Sequence, residues 1–373
     1  MFRNAVPLFK LYGIQLRIDP SWLLIAGLIL WSLSTQYFPL ILPRAGSGTH
    51  FVLALLGMLG LFASLILHEL AHSLTARNYG LGIAGITLFV FGGVAEMEEE
   101  PPTPGAEFWI AVAGPAMSFA LALAFDLAGP LVAGLGTGAV ALMGYLVFVN
   151  TALGVFNLIP AYPMDGGRVL RAILWKRSGS MDRATMQAAR TGLALGALVI
   201  GLGVLSLAGG GGIGGMWTIL IGFFVFSAAR NNFSAARYRL DLMGTLARDL
   251  MTPSPVVVPP AVSVTELVDK VMLPRHMSFI PVVEHGRLLG YVDSAGVRAV
   301  PEPSRAQTAV AAVMVPLDQA ATLAPDTPAQ VALEMFLRTG LRRFLVVEED
   351  RLCGILSLSD MRGFLALKEE LAG

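Results

Sequence analysis

In the stretch Leu65-Ile66-Leu67-His68-Glu69-Leu70-Ala71-His72-Ser73, two histidines stand four residues apart with a glutamate between them. On a helix that spacing puts both imidazoles on one face, one turn apart. Two imidazoles so placed can share one Zn²⁺. Glu69 is rotated by about 100° from His68. It therefore flanks such a metal without ligating it and can serve as general base toward a water. The surroundings strengthen this reading over a chance match. A charged group near mid-bilayer costs about 2.5–3.5 kcal/mol on insertion scales, and this motif lies in an apolar run. Two of the chain's five histidines fall in its five-residue window.

A catalytic zinc takes a third protein ligand and keeps one position open. Asp165 is the leading candidate. It stands in Asn157-Leu158-Ile159-Pro160-Ala161-Tyr162-Pro163-Met164-Asp165-Gly166-Gly167-Arg168, where prolines and glycines break the helix. Irregular backbone at membrane depth is tolerated where it is buried in protein or lines a wet cavity. Asp126 and Glu96 are the rivals. Asn157 can donate to a developing oxyanion or satisfy backbone groups freed near Pro160, and spacing alone does not separate the two.

The elements that must position these groups are hydrophobic. Residues 1–240 carry 14 Lys/Arg and 10 Asp/Glu, whereas the last 133 carry 12 and 16. The first part therefore reads as membrane-embedded and the second as soluble. Apolar stretches of spanning length, about 20 residues, lie near 21–42, 51–76, 106–128, 136–160, 190–208 and 214–234, the fifth being short. Basic residues collect before the first stretch, after the second, between the fourth and fifth, and after the sixth, while the other connections hold only Arg44. The positive-inside rule then puts both termini and the soluble part in the cytoplasm of a multi-pass cell-membrane protein. Residues 82–97, rich in β-branched and aromatic side chains around Gly92-Gly93, predict one or two strands ended by Glu98, Glu99, Glu100 and Pro101. Leu11–Asp19 adds a further candidate strand. Zero net charge and no basic tract argue against a nucleic-acid partner. The single cysteine, Cys353, excludes an intramolecular disulfide.

The soluble tail repeats itself. Leu250-Met251-Thr252-Pro253 returns as Val313-Met314-Val315-Pro316, Phe279–Glu284 as Arg343–Glu348, and Leu289–Val292 as Cys353–Leu356. A constant offset of this kind marks a duplicated structural unit.

These motifs together resemble the site-2 protease family of intramembrane zinc metalloproteases, in the subgroup with C-terminal cystathionine-β-synthase-type (CBS) domains. The resemblance rests on His68-Glu69-Leu70-Ala71-His72, Ala113-Gly114-Pro115-Ala116-Met117-Ser118 and Asn157 through Gly167. Met164 departs mildly from the family's leucine. The fold implied is a polytopic α-helical membrane protein, with about six transmembrane helices and a small membrane-associated β-sheet, followed by a soluble α+β tandem CBS pair. The implied domains are 1–240, 247–303 and 311–370. The resemblance implies one Zn²⁺ per chain on His68, His72 and Asp165, Glu69 as acid/base, and Asn157 in transition-state or substrate binding. It makes Gly114 and Ser118 a small-residue packing motif. It also implies a membrane-protein substrate within the lipid bilayer, a segment of which adds to the sheet edge. CBS pairs of this kind bind adenine nucleotides, for which Ser357 and Asp360 offer hydroxyl and carboxylate, and they can form a homodimer. The first repeat has Asp293 and Gly296 at the matching places. Two competing classes, a transporter with an intramembrane ion path and an inactive scaffold, account less well for His68/Glu69/His72 with Asp165.

Overall fold

The computed structural model describes residues 5–90, 92–97 and 99–372; Arg3, Phe91 and Glu98 lie outside them. The chain divides into two compact units, one running to Arg237 and one beginning at Tyr238.

The first unit opens with β1 (Val6–Leu11) and β2 (Ile14–Ile18), an antiparallel hairpin turned at Tyr12-Gly13. Helix α1 (Trp22–Ser32) continues through a wide turn at 33–37 into α2 (Phe38–Ile41). Helix α3 (Ser47–Asn78) carries the two histidines. It contains no proline and ends at Tyr79-Gly80, where Gly80 takes a φ of +82° that favours glycine. Strands β3 (Ile83–Phe89) and β4 (Gly92–Met97) follow. The remaining helices are α4 (Pro104–Val132), α5 (Thr137–Asn157), α6 (Asp165–Ser178), α7 (Met181–Ala208) and α8 (Gly212–Asp241). Thr103 caps α4 by accepting from the Ala106 amide at 3.1 Å, with Pro104 at the first helical position.

Among the described residues, six helical segments are long and apolar enough to cross a membrane: Trp22–Ile41, Ser47–Asn78, Pro104–Leu135, Thr137–Asn157, Met181–Ala208 and Gly214–Asp241. Many of their leucines, such as Leu24, Leu131 and Leu205, are exposed, as a lipid solvent requires. The fifth span is not short. It begins at Met181, because Ser180 caps it and its first turns are polar, which hid the start from a hydropathy reading. The short α6 between the fourth and fifth spans was not expected either.

The strands form one sheet in the order β1-β2-β3-β4. β2 and β3 run parallel with Leu16 opposite Ile86, and β4 pairs antiparallel with β3 at the sheet edge. Ile14, Leu16 and Ile86 pack on Leu70 of α3. The sheet is thereby fastened to the helix turn that bears His68 and His72.

The second unit contains α9 (Ala247–Leu250), β5 (Thr252–Pro253), α10 (Val264–Leu267), β6 (Phe279–Glu284), β7 (Arg287–Asp293), α11 (Ser294–Ala299), β8 (Val315–Pro316), β9 (Thr322–Leu323), α12 (Ala329–Thr339), β10 (Arg343–Glu348), β11 (Arg351–Ser357) and α13 (Leu358–Ala372). The repeats exchange their first strands. β5 joins the sheet β5-β11-β10-β9, and β8 joins β6-β7-β8. The registers match: Ile355 faces Thr252 in one sheet and Tyr291 faces Val315 in the other. Gly354 and Gly290 lie where the exchanged strand passes closest; a Cβ on them would meet the Thr252 and Val315 carbonyl oxygens.

Candidate metal centre

His68 and His72 project from α3 into the protein interior and are 2% and 4% exposed. Asp165 comes from the first turn of α6, 93 residues beyond His72, and is 9% exposed. The sharp return of chain that brings it there depends on Gly166 and Gly167. A Cβ on either would strike backbone atoms of residues 158–162. A carboxylate in a helix's first turn is also favoured by the helix dipole.

His68 Nε2 lies 3.2 Å from His72 Nε2, and each lies 3.1 Å from Asp165 Oδ2. Bonds of about 2.0–2.1 Å in tetrahedral geometry separate donor atoms by about 3.3 Å, so this near-equilateral triangle fits one face of a zinc site. It is the one His/Cys/Asp/Glu group of that kind found among the described residues. The far ring nitrogens are held as well. His72 Nδ1 donates to the Ile110 carbonyl at 2.6 Å, which fixes the tautomer with its Nε2 lone pair toward Asp165. His68 Nδ1 pairs with the Ser118 hydroxyl at 2.8 Å. Burial pushes the Asp165 carboxyl up, but His72 and His68 outweigh it and hold it well below the usual carboxylate range. It is a carboxylate at neutral pH, as a metal ligand must be.

The three side chains line a cavity of about 640 Å³ together with Glu69, Asn157, Arg168 and the consecutive residues Gly93 to Met97. Successive side chains on a strand point to opposite faces. Five in a row along one cavity therefore mean that the outer edge of β4, which pairs with no other strand among the described residues, borders it rather than one face. Gly93 lets that edge approach Glu69, since a Cβ there would sit 2.8 Å from Glu69 Cγ. Asn157 ends α5 and donates one Nδ2 hydrogen to the Leu153 carbonyl at 3.0 Å. Neither rival joins the triangle: Asp126 is exposed, and Glu96, though it lines the cavity, pairs with Arg17 at 3.1 Å and accepts from Thr87.

In the tail, Ser357 and Asp360 close on each other. The Ser357 amide and hydroxyl donate to Asp360 Oδ2 at 2.8 and 2.6 Å, and the Asp360 amide donates back to Ser357 Oγ. This reciprocal cap starts α13. Asp293, at the matching place in the first repeat, caps α11 through the amides of Ala295 and Gly296.

Models of two known families match this chain: peptidase family M50 at residues 56–135 and 127–199, and the CBS domain at 247–299 and 310–367. Rip3 of Mycobacterium tuberculosis is 36% identical over 96% of this chain and 92% of its own length. The zinc metalloprotease MJ0392 of Methanocaldococcus jannaschii is 32% identical over 98% of each. This chain belongs to peptidase family M50. The solved site-2 protease from Methanocaldococcus jannaschii is 32% identical and aligns over 62% of this chain and 95% of that one, with a TM-score of 0.44. Our M50 peptidase is thus a multi-pass membrane metalloprotease with a CBS pair.

Several residues around the M50 site escaped the sequence reading. Gly114 does more than permit packing: a Cβ there would land on Nε2 of both imidazoles. Ser118 is the partner of His68 rather than a spacer. Glu107 and Arg171 form a buried ion pair beside the cavity. The AGPAMS stretch was visible as a motif, but nothing in its spacing told which of its residues face α3.

Proposed function

We propose that this chain is an intramembrane zinc endopeptidase that hydrolyses a peptide bond in or near a transmembrane segment of a membrane-protein substrate. One observation carries the reading: the buried triangle of His68, His72 and Asp165 beside Glu69, in a cavity bordered by a free strand edge. His68 Nε2, His72 Nε2 and Asp165 Oδ2 are the proposed ligands of one Zn²⁺. When bound, the metal supplies the electrophile and lowers the pKa of the attacking water. Glu69 accepts the proton of that water and delivers it to the leaving amine. Asn157 keeps a second Nδ2 hydrogen beyond the one given to Leu153, and this hydrogen is the proposed donor to the oxyanion. A helical substrate holds its carbonyls in i→i−4 bonds. Pairing of an unwound segment with the edge of β4 would expose the scissile bond and align it over Glu69.

The basic connections favour both termini and the tail on the cytoplasmic side. At 1.5 Å per residue, His68 lies about 14 Å along α3 from Arg77, near that basic end. Cleavage there would release a fragment toward the cytoplasm. We further propose 1–240 as the protease domain and the CBS pair as its regulator, responding to an adenine nucleotide and open to dimerisation. Ser357 and Asp360 would then exchange their mutual cap for the ligand.

Glu69→Gln tests the chemistry. Purified enzyme in proteoliposomes is expected to keep its zinc and lose at least about 10²-fold in cleavage rate. Cleavage at the wild-type rate by this variant would remove Glu69 from the mechanism.

A further inference from the structure

We propose that the buried Glu107–Arg171 ion pair is a positioning clamp that holds Asp165 at bonding distance from the two imidazoles; this rests on the ligand reading above. Glu107 is 0% and Arg171 6% exposed. Arg171 Nε donates to Glu107 Oε1 at 2.5 Å, and its Nη2 reaches the same oxygen. The guanidinium also lies 5.3 Å from the Tyr162 ring centroid and 3.5 Å from the Thr185 hydroxyl. One side chain on α6 thereby engages α4, α7 and the chain segment leading into Asp165.

The pair sits where it can set the site. Helix α4 supplies the Ile110 carbonyl, Ser118 and the bare Gly114 against which the imidazoles rest. Helix α6 supplies Asp165. Glu107 lies about one turn before Ile110, and Arg171 lies six residues after Asp165. Fixing these two residues fixes the α4–α6 spacing and hence the reach of the third ligand.

A stabilising role alone explains the pair less well. Glu107 Oε2 is buried with no hydrogen-bond partner among the described residues. Buried ion pairs often yield to apolar residues without loss of stability, and a half-satisfied one is a poor source of it. What a planar guanidinium on a carboxylate does supply is a fixed distance and angle.

The decisive experiment is Glu107→Met/Arg171→Met in the full-length, detergent-purified protein. Thermal unfolding and zinc affinity by chelator competition are read in the wild-type and Asp165→Ala backgrounds. The double replacement is expected to unfold within a few degrees of wild type. It is expected to weaken zinc about tenfold or more, yet by less than about twofold once Asp165 is already absent. A folded double variant with wild-type zinc affinity overturns the clamp. Equal losses in both backgrounds overturn it too, because the pair would then act on the fold at large. If the double variant does not fold, Arg171→Lys decides. It keeps the charge and loses the fork, and is expected to weaken zinc several-fold; wild-type affinity overturns the clamp. Unchanged zinc in Asp165→Ala alone would sink the ligand reading instead.

Discussion

At the scale of single residues, Gly114 is the position where steric and helical preferences oppose each other most cleanly. An alanine in a helix interior is favoured over glycine by about 0.5–1 kcal/mol. Yet its methyl would fall on the two imidazole nitrogens. Gly114→Ala is therefore expected to keep wild-type helicity by circular dichroism and lose most of its zinc by elemental analysis; retained zinc would refute the close approach. This contrast also shows what sequence can and cannot reveal about the site. His68, Glu69 and His72 are legible because their spacing is local. Asp165 is legible because it is an acid in broken helix beside an apolar span. The partners of the imidazoles are not: Ser118 is 50 residues from His68 and Ile110 is 38 from His72. Which of α4's residues meets α3 is a matter of packing, and no local pattern encodes it.

At the scale of elements, the site exists because four pieces converge on one turn of α3: the edge of β4, the middle of α4, the end of α5 and the start of α6. The sheet is pinned through Leu70, whose neighbour Glu69 faces Gly93. Gly93→Val is expected to displace Glu69 while leaving the donor triangle intact. Zinc content should hold, and kcat should fall by about tenfold or more as Glu69, the proposed general base, moves out of line. A fall in zinc with unchanged kcat per bound metal would contradict that division of labour. The strands at 83–97 were readable from β-branched residues around a glycine pair. Helix α6 was not, because prolines and glycines before it and Gly179-Ser180 after it gave the whole connection the look of a loop.

At the scale of the whole molecule, a membrane unit and a duplicated tail share one chain. The repeat was plain in the sequence, but the exchange of β5 and β8 was not. A repeat identifies equivalent strands, and their pairing depends on how the two copies meet. The glycines at 290 and 354 are the trace the exchange leaves in the sequence. Truncation after Thr308 removes β8 from the first repeat's sheet along with the second repeat. The remaining half-tail, deprived of Val315 opposite Tyr291, is expected to become protease-sensitive while zinc in the membrane unit is unchanged. A protease-resistant remnant would show that the first repeat folds without the exchanged strand.

The most direct test of the central claim is the zinc content of the detergent-purified protein beside its His68→Ala and Asp165→Ala variants. About one zinc per chain in the wild type as purified, and well under one in both variants, whose weakened sites load only when zinc is added, is the expected result. A well-folded wild type without bound metal, or an Asp165→Ala variant that keeps its zinc, would contradict it.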